Sequence, residues 1–237
     1  MNEAEKYAVQ WDISAQYFYE KSYYSWMSEK LNGYEMVLEI GCGTGYSTLA
    51  LAEKGFKVLA VDKNANCIVK AKELLNSSGF KDNQVTFIEG DVAEDSFRKM
   101  LVENYSFDIV ICWNVGTYWG KEMIQYYLPH MYEYGLNTDQ IKENPESSYS
   151  ELIIWKTCRI ARTKNVPVHI VDRGGETITE QTDPYYVMLK DEFKYPKILY
   201  DNLQADSVSS GGRILVTNGA VNTDKKIDIV FVSIFMC

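Results

Sequence analysis

The stretch Val37-Leu38-Glu39-Ile40-Gly41-Cys42-Gly43-Thr44-Gly45-Tyr46 constrains the fold of this chain more than any other. A short apolar run carrying one carboxylate breaks into three glycines at alternate positions. Helix formers follow from Tyr46 to Lys54, with a stop at Gly55. Glycine has no Cβ, so such a turn can take φ > 0 and let a ligand approach the backbone. Strand, glycine turn and helix in direct succession make the nucleotide-binding corner of an open α/β sheet. Two rival corners fail on spacing. A dinucleotide fingerprint would need its third glycine at Tyr46, and a phosphate loop needs a lysine that this turn lacks.

Two further apolar runs end in carboxylates. Phe56–Asp62 closes on Asp62 roughly twenty residues after the first strand, and Val85–Val92 carries Glu89 and Asp91. A strand-ending aspartate is often the N-cap of the next helix. It is also where α/β nucleotide folds hold ribose hydroxyls. Taken alone, Asp62 divides evenly between these roles.

The pattern E-x-G-x-G-x-G, followed by these two strands, resembles motif I and its companions in the class I S-adenosylmethionine-dependent methyltransferases. The resemblance implies a Rossmann-like α/β fold: a seven-stranded sheet with helices on both faces and a C-terminal antiparallel hairpin. It implies S-adenosyl-L-methionine as cofactor and S-adenosyl-L-homocysteine as product. Carried over residue by residue, it assigns cofactor contacts to Glu39, Gly41, Cys42, Gly43, Asp62, Lys63, Asp91, Val92, Trp113 and Asn114. Asp62 would take the ribose and Asp91 the adenine amine, with Glu89 as the alternative to Asp91. Glu39 would face either the ligand amine or the backbone of the turn. Cys42 reads as a small turn residue rather than a reactive thiol.

With 237 residues the chain suits one α/β domain with additions. A formal charge of -9 argues against a generic nucleic-acid binder, which needs clustered Lys and Arg. The one basic cluster, Lys156, Arg159, Arg162 and Lys164, reads as a solvated face near a helix C-terminus. Five scattered cysteines and two histidines form no zinc pattern, so no metal is expected. No secretory signal and no apolar run of membrane-spanning length stand out, and a reducing cytoplasm is the simplest location. The sequence leaves the oligomeric state open.

Residues 1–32 read as an amphipathic helical cover, rich in rings: Trp11, Tyr17, Phe18, Tyr19, Tyr23, Tyr24 and Trp26. In similar small-molecule methyltransferases this piece folds over the cofactor, and rings favour a bound cation by about 0.5–2 kcal/mol. Tyr17, Tyr24 and Tyr118 are taken as pocket residues. A fourth strand, Phe107–Trp113, opens into Asn114, where an Asn-Pro-Pro-Tyr box would begin, but both prolines are missing. That departure lowers the odds of a nucleic-acid base as acceptor.

Residues 120–150 and 174–210 read as pocket or lid insertions, separated by a helix to Arg162 and a strand at Val166–Asp172. Arg213–Asn218 and Ile227–Phe235 are expected to form the closing hairpin of a single domain spanning 1–237. Methyl transfer depends chiefly on orientation, on the order of 7–11 kcal/mol. A hydroxyl or carbon acceptor would also want a base, and His130 is the candidate, His169 lying mid-strand. A small-molecule acceptor with nitrogen slightly preferred is the leading expectation. A protein or RNA acceptor and a non-catalytic binder are the alternatives.

Overall fold

A computed structural model of the chain describes residues 2–80, 83–114, 123–208, 215–217, 220–222 and 226–237, without the side chains of 215–222. Two helices come first, α1 (Glu3–Glu20) and α2 (Tyr23–Glu29). An alternation follows: β1 (Met36–Ile40), α3 (Tyr46–Glu53), β2 (Lys57–Asp62), α4 (Ala65–Ser77), β3 (Val85–Glu89), α5 (Asp95–Asn104) and β4 (Ile109–Trp113). Three helices, α6 (Ile124–Tyr134), α7 (Thr138–Glu143) and α8 (Pro145–Lys164), lead to β5 (Val168–Gly174) and α9 (Pro184–Glu192). The chain closes with β6 (Ile198–Val208), the short pair β7 (Leu215–Thr217) and β8 (Ala220–Asn222), and β9 (Lys226–Met236).

Seven strands form one sheet in the order β3-β2-β1-β4-β5-β9-β6. The first five run parallel and β9 is antiparallel to both of its neighbours. The central strands are apolar on both faces, as a doubly covered parallel sheet requires. Val110 and Cys112 of β4 pack into the layer containing α8. Ile109, Ile111 and Trp113 point into the opposite layer, with Phe18 and Met27 of the N-terminal helices. This is the expected seven-stranded Rossmann-like sheet.

Three sequence expectations need correction. Residues 198–208, read as part of a pocket insertion, are a full edge strand, and it is β6 rather than the 213–218 run that pairs with β9. Leu215–Thr217 pairs instead with Ala220–Asn222, outside the main sheet. Polar residues on an edge strand masked its period. The basic cluster is a solvated face only at Arg162, which is exposed. Lys156 is fully buried and donates to Glu133 at 2.6 Å, Arg159 donates to Glu133 at 2.7 Å, and Lys164 caps the carbonyls of Val102 and Tyr105. These cations bind α8 to α6 and α5.

Candidate active site

The glycine turn is built against β2. Gly41 and Cys42 both donate their N–H to the Val61 carbonyl, and Gly43 donates to Asp62 Oδ2 at 2.9 Å. Gly45 begins α3 with φ 92, where an added Cβ would sit 2.8 Å from the Ala71 backbone. At Gly43 an added Cβ would fall onto the Trp11 indole. Both positions therefore exclude any side chain, one against α4 and the other against α1. Asp62 Oδ1 accepts from Asn64 N–H at 2.8 Å, so this carboxylate organises the turn on both sides while facing the cleft. Burial pushes its pKa up, against the backbone N–H groups of Asn64 and Gly43 that pull it down.

A cleft lies along the carboxyl edge of the sheet. Gly41, Gly43, Asp62, Lys63, Asp91, Val92 and Asn114 line it, together with Tyr7 and Trp11 of α1 and Tyr149 and Ile153 of α8. Lys63 extends over the Tyr149 ring at 4.0 Å and donates to the Tyr127 hydroxyl at 3.1 Å. Burial lowers its pKa to about 8, against the attraction of Asp91 and Asp62. Tyr127 in turn donates to Asp91 Oδ2, and the Ala93 N–H donates to Asp91 Oδ1. The adenine-side carboxylate is thereby tied to α6.

Other residues expected at the site stand elsewhere. Glu39 is buried beneath the turn and accepts from the hydroxyls of Ser47 at 2.5 Å and Thr48 at 2.6 Å, both on α3. It meets neither the ligand space nor the turn backbone. Burial raises its pKa to about 7, although both hydroxyls oppose the shift. Cys42 is buried with its thiol near the Gly43 carbonyl, and burial raises its pKa. Trp113 turns away into the core and donates its indole N–H to His169 Nδ1 at 3.1 Å.

Tyr24 is buried against Phe18, and Tyr17 donates to Asp206 at 2.6 Å, fastening α1 to β6. Neither lines the cleft. The rings that do, Tyr7 and Trp11, share with Ala15 and Phe18 the i, i+4, i+8, i+11 stripe that faces the sheet. That spacing was the available signal, and ring count alone obscured it. His130 sits on α6 with Nδ1 4.0 Å from Glu133 and its ring beside Tyr126. It is not among the lining residues, and a base must come within hydrogen-bond reach of its proton. Tyr118 lies outside the described residues. Tyr149 and Ile153 were missed because nothing local marks a helix that approaches the cleft from another part of the chain.

Residues 37–134 match the family model described as a methyltransferase domain. Protein-L-isoaspartate O-methyltransferase 1 of Syntrophobacter fumaroxidans is 36% identical over 78 residues, 32% of this chain and 36% of that protein. A probable cobalt-precorrin-6B C(15)-methyltransferase (decarboxylating) of Methanothermobacter thermautotrophicus is 40% identical over 60 residues, 25% of this chain and 31% of the other. The chain thus spans about a third of the length of these curated relatives. The crystal structure of precorrin-6y C5,15-methyltransferase from Geobacter metallireducens superposes with a TM-score of 0.52 at 10% identity, covering 90% of this chain and 88% of that one, a likeness of fold. Residues 37–134 thus match a methyltransferase domain, and the chain shares the sheet order and glycine corner of the class I S-adenosylmethionine-dependent methyltransferases. The cofactor of that family is S-adenosyl-L-methionine. The cleft fits such a ligand: two carboxylates face it, a glycine leaves room against an indole, and a buried amide opens onto it.

Proposed function

We propose that this protein transfers a methyl group from S-adenosyl-L-methionine to a small-molecule acceptor, with nitrogen favoured as the atom methylated. The observation that carries this reading is the roof of the cleft. Trp11 of α1 packs directly over Gly43, and Tyr7 stacks parallel to Trp11 with ring centroids 6.5 Å apart. A site covered in this way suits an acceptor small enough to enter it. Three of the four cations clustered on α8, Lys156, Arg159 and Lys164, are engaged in binding helices together, which leaves little basic face there for RNA.

Asp62 and Asp91 would hold the adenosine, Asp62 through the ribose hydroxyls and Asp91 through the base amine. Gly41 and Gly43 allow close approach of the ligand to the turn. Lys63 and Val92 would flank the base. When bound, the cofactor supplies a methyl group on a positively charged sulfur, and the ring faces of Tyr7 and Trp11 suit that charge. The relatives' names carry different acceptors, a protein L-isoaspartate in one and a cobalt-precorrin in the other. Nitrogen is favoured because none of the described residues lining the cleft is a histidine, and an amine arriving deprotonated needs little help from a base.

The test uses purified protein, methyl-labelled S-adenosylmethionine and a cell extract, separated afterwards by size. Label in the small-molecule fraction is expected, and mass analysis of the product then identifies the methylated atom. Label on protein or RNA would replace the small-molecule reading.

A further inference from the structure

A buried cation holds the loop that follows β3. Arg98, at the end of the first turn of α5, is 7% exposed. Its Nη1 donates to the Val92 carbonyl at 2.6 Å and to the Ala93 carbonyl at 2.7 Å, and its Nη2 donates to Asp95. Val92 and Ala93 are themselves buried, so the guanidinium supplies the partners that water gives an exposed loop.

This placement is costly. A cation near the N-terminus of a helix opposes the helix dipole, and the side chain of its counter-ion, Asp95, is 76% exposed. Burial lowers the Arg98 pKa, against the attraction of Asp95. A geometric task accounts for such an arrangement, and the rigid planar fork of arginine suits one.

The task is visible in a single peptide group. The unit joining Val92 to Ala93 offers its oxygen to Arg98 and its N–H to Asp91 Oδ1, the latter at 2.8 Å. A peptide is planar, so fixing the oxygen also fixes the direction of the N–H, and with it the carboxylate. Hydrogen bonds linked in this way polarise one another. Tyr127 steadies the other oxygen of Asp91. A carboxylate accepts at about four positions, so these two donors leave room for a third. Further contacts set the path of the loop: the Glu94 N–H donates to the Asp91 carbonyl at 3.1 Å and the Gly90 N–H to the Asp62 carbonyl at 3.0 Å. A Cβ at Gly90 would fall on the Phe97 ring. Among these backbone contacts, the one from Arg98 holds the peptide that aims the carboxylate.

We infer that Arg98 is a positioning residue for the adenine end of the cleft, acting on Asp91 through the 92–93 peptide. The inference rests on the role proposed above for Asp91 as acceptor of the base amine. Arg98 does not line the cleft, so its effect is on selectivity rather than contact. A carboxylate held in one direction rewards a purine that donates an exocyclic N–H to it. It rejects a purine with an oxygen at that place, because two acceptors then face each other.

Calorimetry with two ligands tests this, S-adenosylhomocysteine and S-inosylhomocysteine, which carries an oxygen in place of the amino group. Wild type is expected to prefer the adenosine compound by at least about tenfold, the scale of a hydrogen bond to a charged group. Arg98→Met, of similar length and without donors, is expected to lower that preference about tenfold. Its Kd for S-inosylhomocysteine should stay within about threefold of wild type. Arg98→Lys keeps a cation able to reach one carbonyl and is expected to fall between the two.

A purely structural role would weaken both ligands alike and leave their ratio unchanged. The wild-type ratio in either folded variant would therefore overturn the inference, and Arg98→Lys decides it if Arg98→Met does not fold. Equal binding of the two ligands by wild type would overturn the amine assignment of Asp91, and the role of Arg98 with it. Binding of neither ligand by wild type would overturn the function proposed above as well as this inference.

Discussion

At the scale of single residues, two carboxylates, Glu39 buried and Asp62 half-buried, do different work beside one turn. Asp62 accepts from the N–H groups of Gly43 and Asn64, so it shapes the site as well as facing it. Asp62→Ala should therefore lower the melting temperature and also weaken S-adenosylhomocysteine binding by about 1.5–3 kcal/mol, the scale of a hydrogen bond to a charged group. Calorimetry on the folded variant checks the second effect, and unchanged affinity would leave Asp62 with a turn-building role only. Glu39 acts beneath the turn, joining β1 to α3 through Ser47 and Thr48. Burial raises its folded pKa to about 7 from the ordinary carboxylate value of 4.5. Its contribution to stability is then fully present below the unfolded value and is lost as pH rises through about 7. Glu39→Gln, which stays neutral, should gain on wild type as pH rises through that window. Urea midpoints of the two proteins from acid to mildly alkaline pH show it, and parallel curves would contradict it.

At the scale of elements, α8 supplies more than the sheet cover its sequence suggests. It brings Tyr149 and Ile153 to the cleft, and Lys156 and Arg159 to Glu133 of α6. Removing one partner of a buried ion pair leaves an uncompensated charge, whereas replacing the buried member with an apolar side chain of similar length need not. Because Glu133 is partly exposed and Asp95 lies 3.9 Å from Lys156, Glu133→Ala should cost about 1–3 kcal/mol, while Lys156→Met should be close to neutral or stabilising. Denaturant melts of both variants decide this, and an equal loss in the two would rule out the asymmetry. The docking of α6 carries to the site because Tyr127 links that helix to Asp91 and Lys63.

At the scale of the whole molecule, a buried polar line crosses the middle of the sheet. Trp113 of β4 donates to His169 Nδ1 on β5, which leaves the ring proton on Nε2 to be donated to Ser233 Oγ of β9 at 2.9 Å. Burial, reinforced by the charge of Lys30, lowers the pKa of His169 to about 3 from the ordinary imidazole value of 6.5. The unfolded chain binds a proton there that the folded chain refuses. Stability from this source is present above about 6.5 and is lost as pH falls toward 3. His169→Gln should be less stable than wild type at neutral pH, with the gap narrowing as pH drops below 6.5. A gap that stays constant down to pH 4, followed by thermal melts, would count against a neutral buried imidazole. Among the described residues, no helix is long and apolar enough to cross a membrane.

What the sequence determined by itself was local in origin. The glycine turn, the carboxylates ending β2 and β3 and the apolar runs of β1 to β4 are short patterns whose geometry follows from backbone sterics and from a period of two. They were enough for the parallel part of the sheet, the resemblance to methyltransferases and the positions of Asp62, Asp91 and Asn114 along the cleft. Only the tertiary structure decided which aromatic face of α1 covers the turn, because ring count is independent of the helical stripe that packs. It moved Tyr17, Tyr24 and His130 away from the cleft and brought Tyr7, Trp11, Tyr149 and Ile153 to it. It also placed β6 beside β9 and buried Lys156, since both depend on partners far along the chain. Contacts that join distant segments leave no mark on neighbouring residues, and in this protein they shape the roof of the cleft.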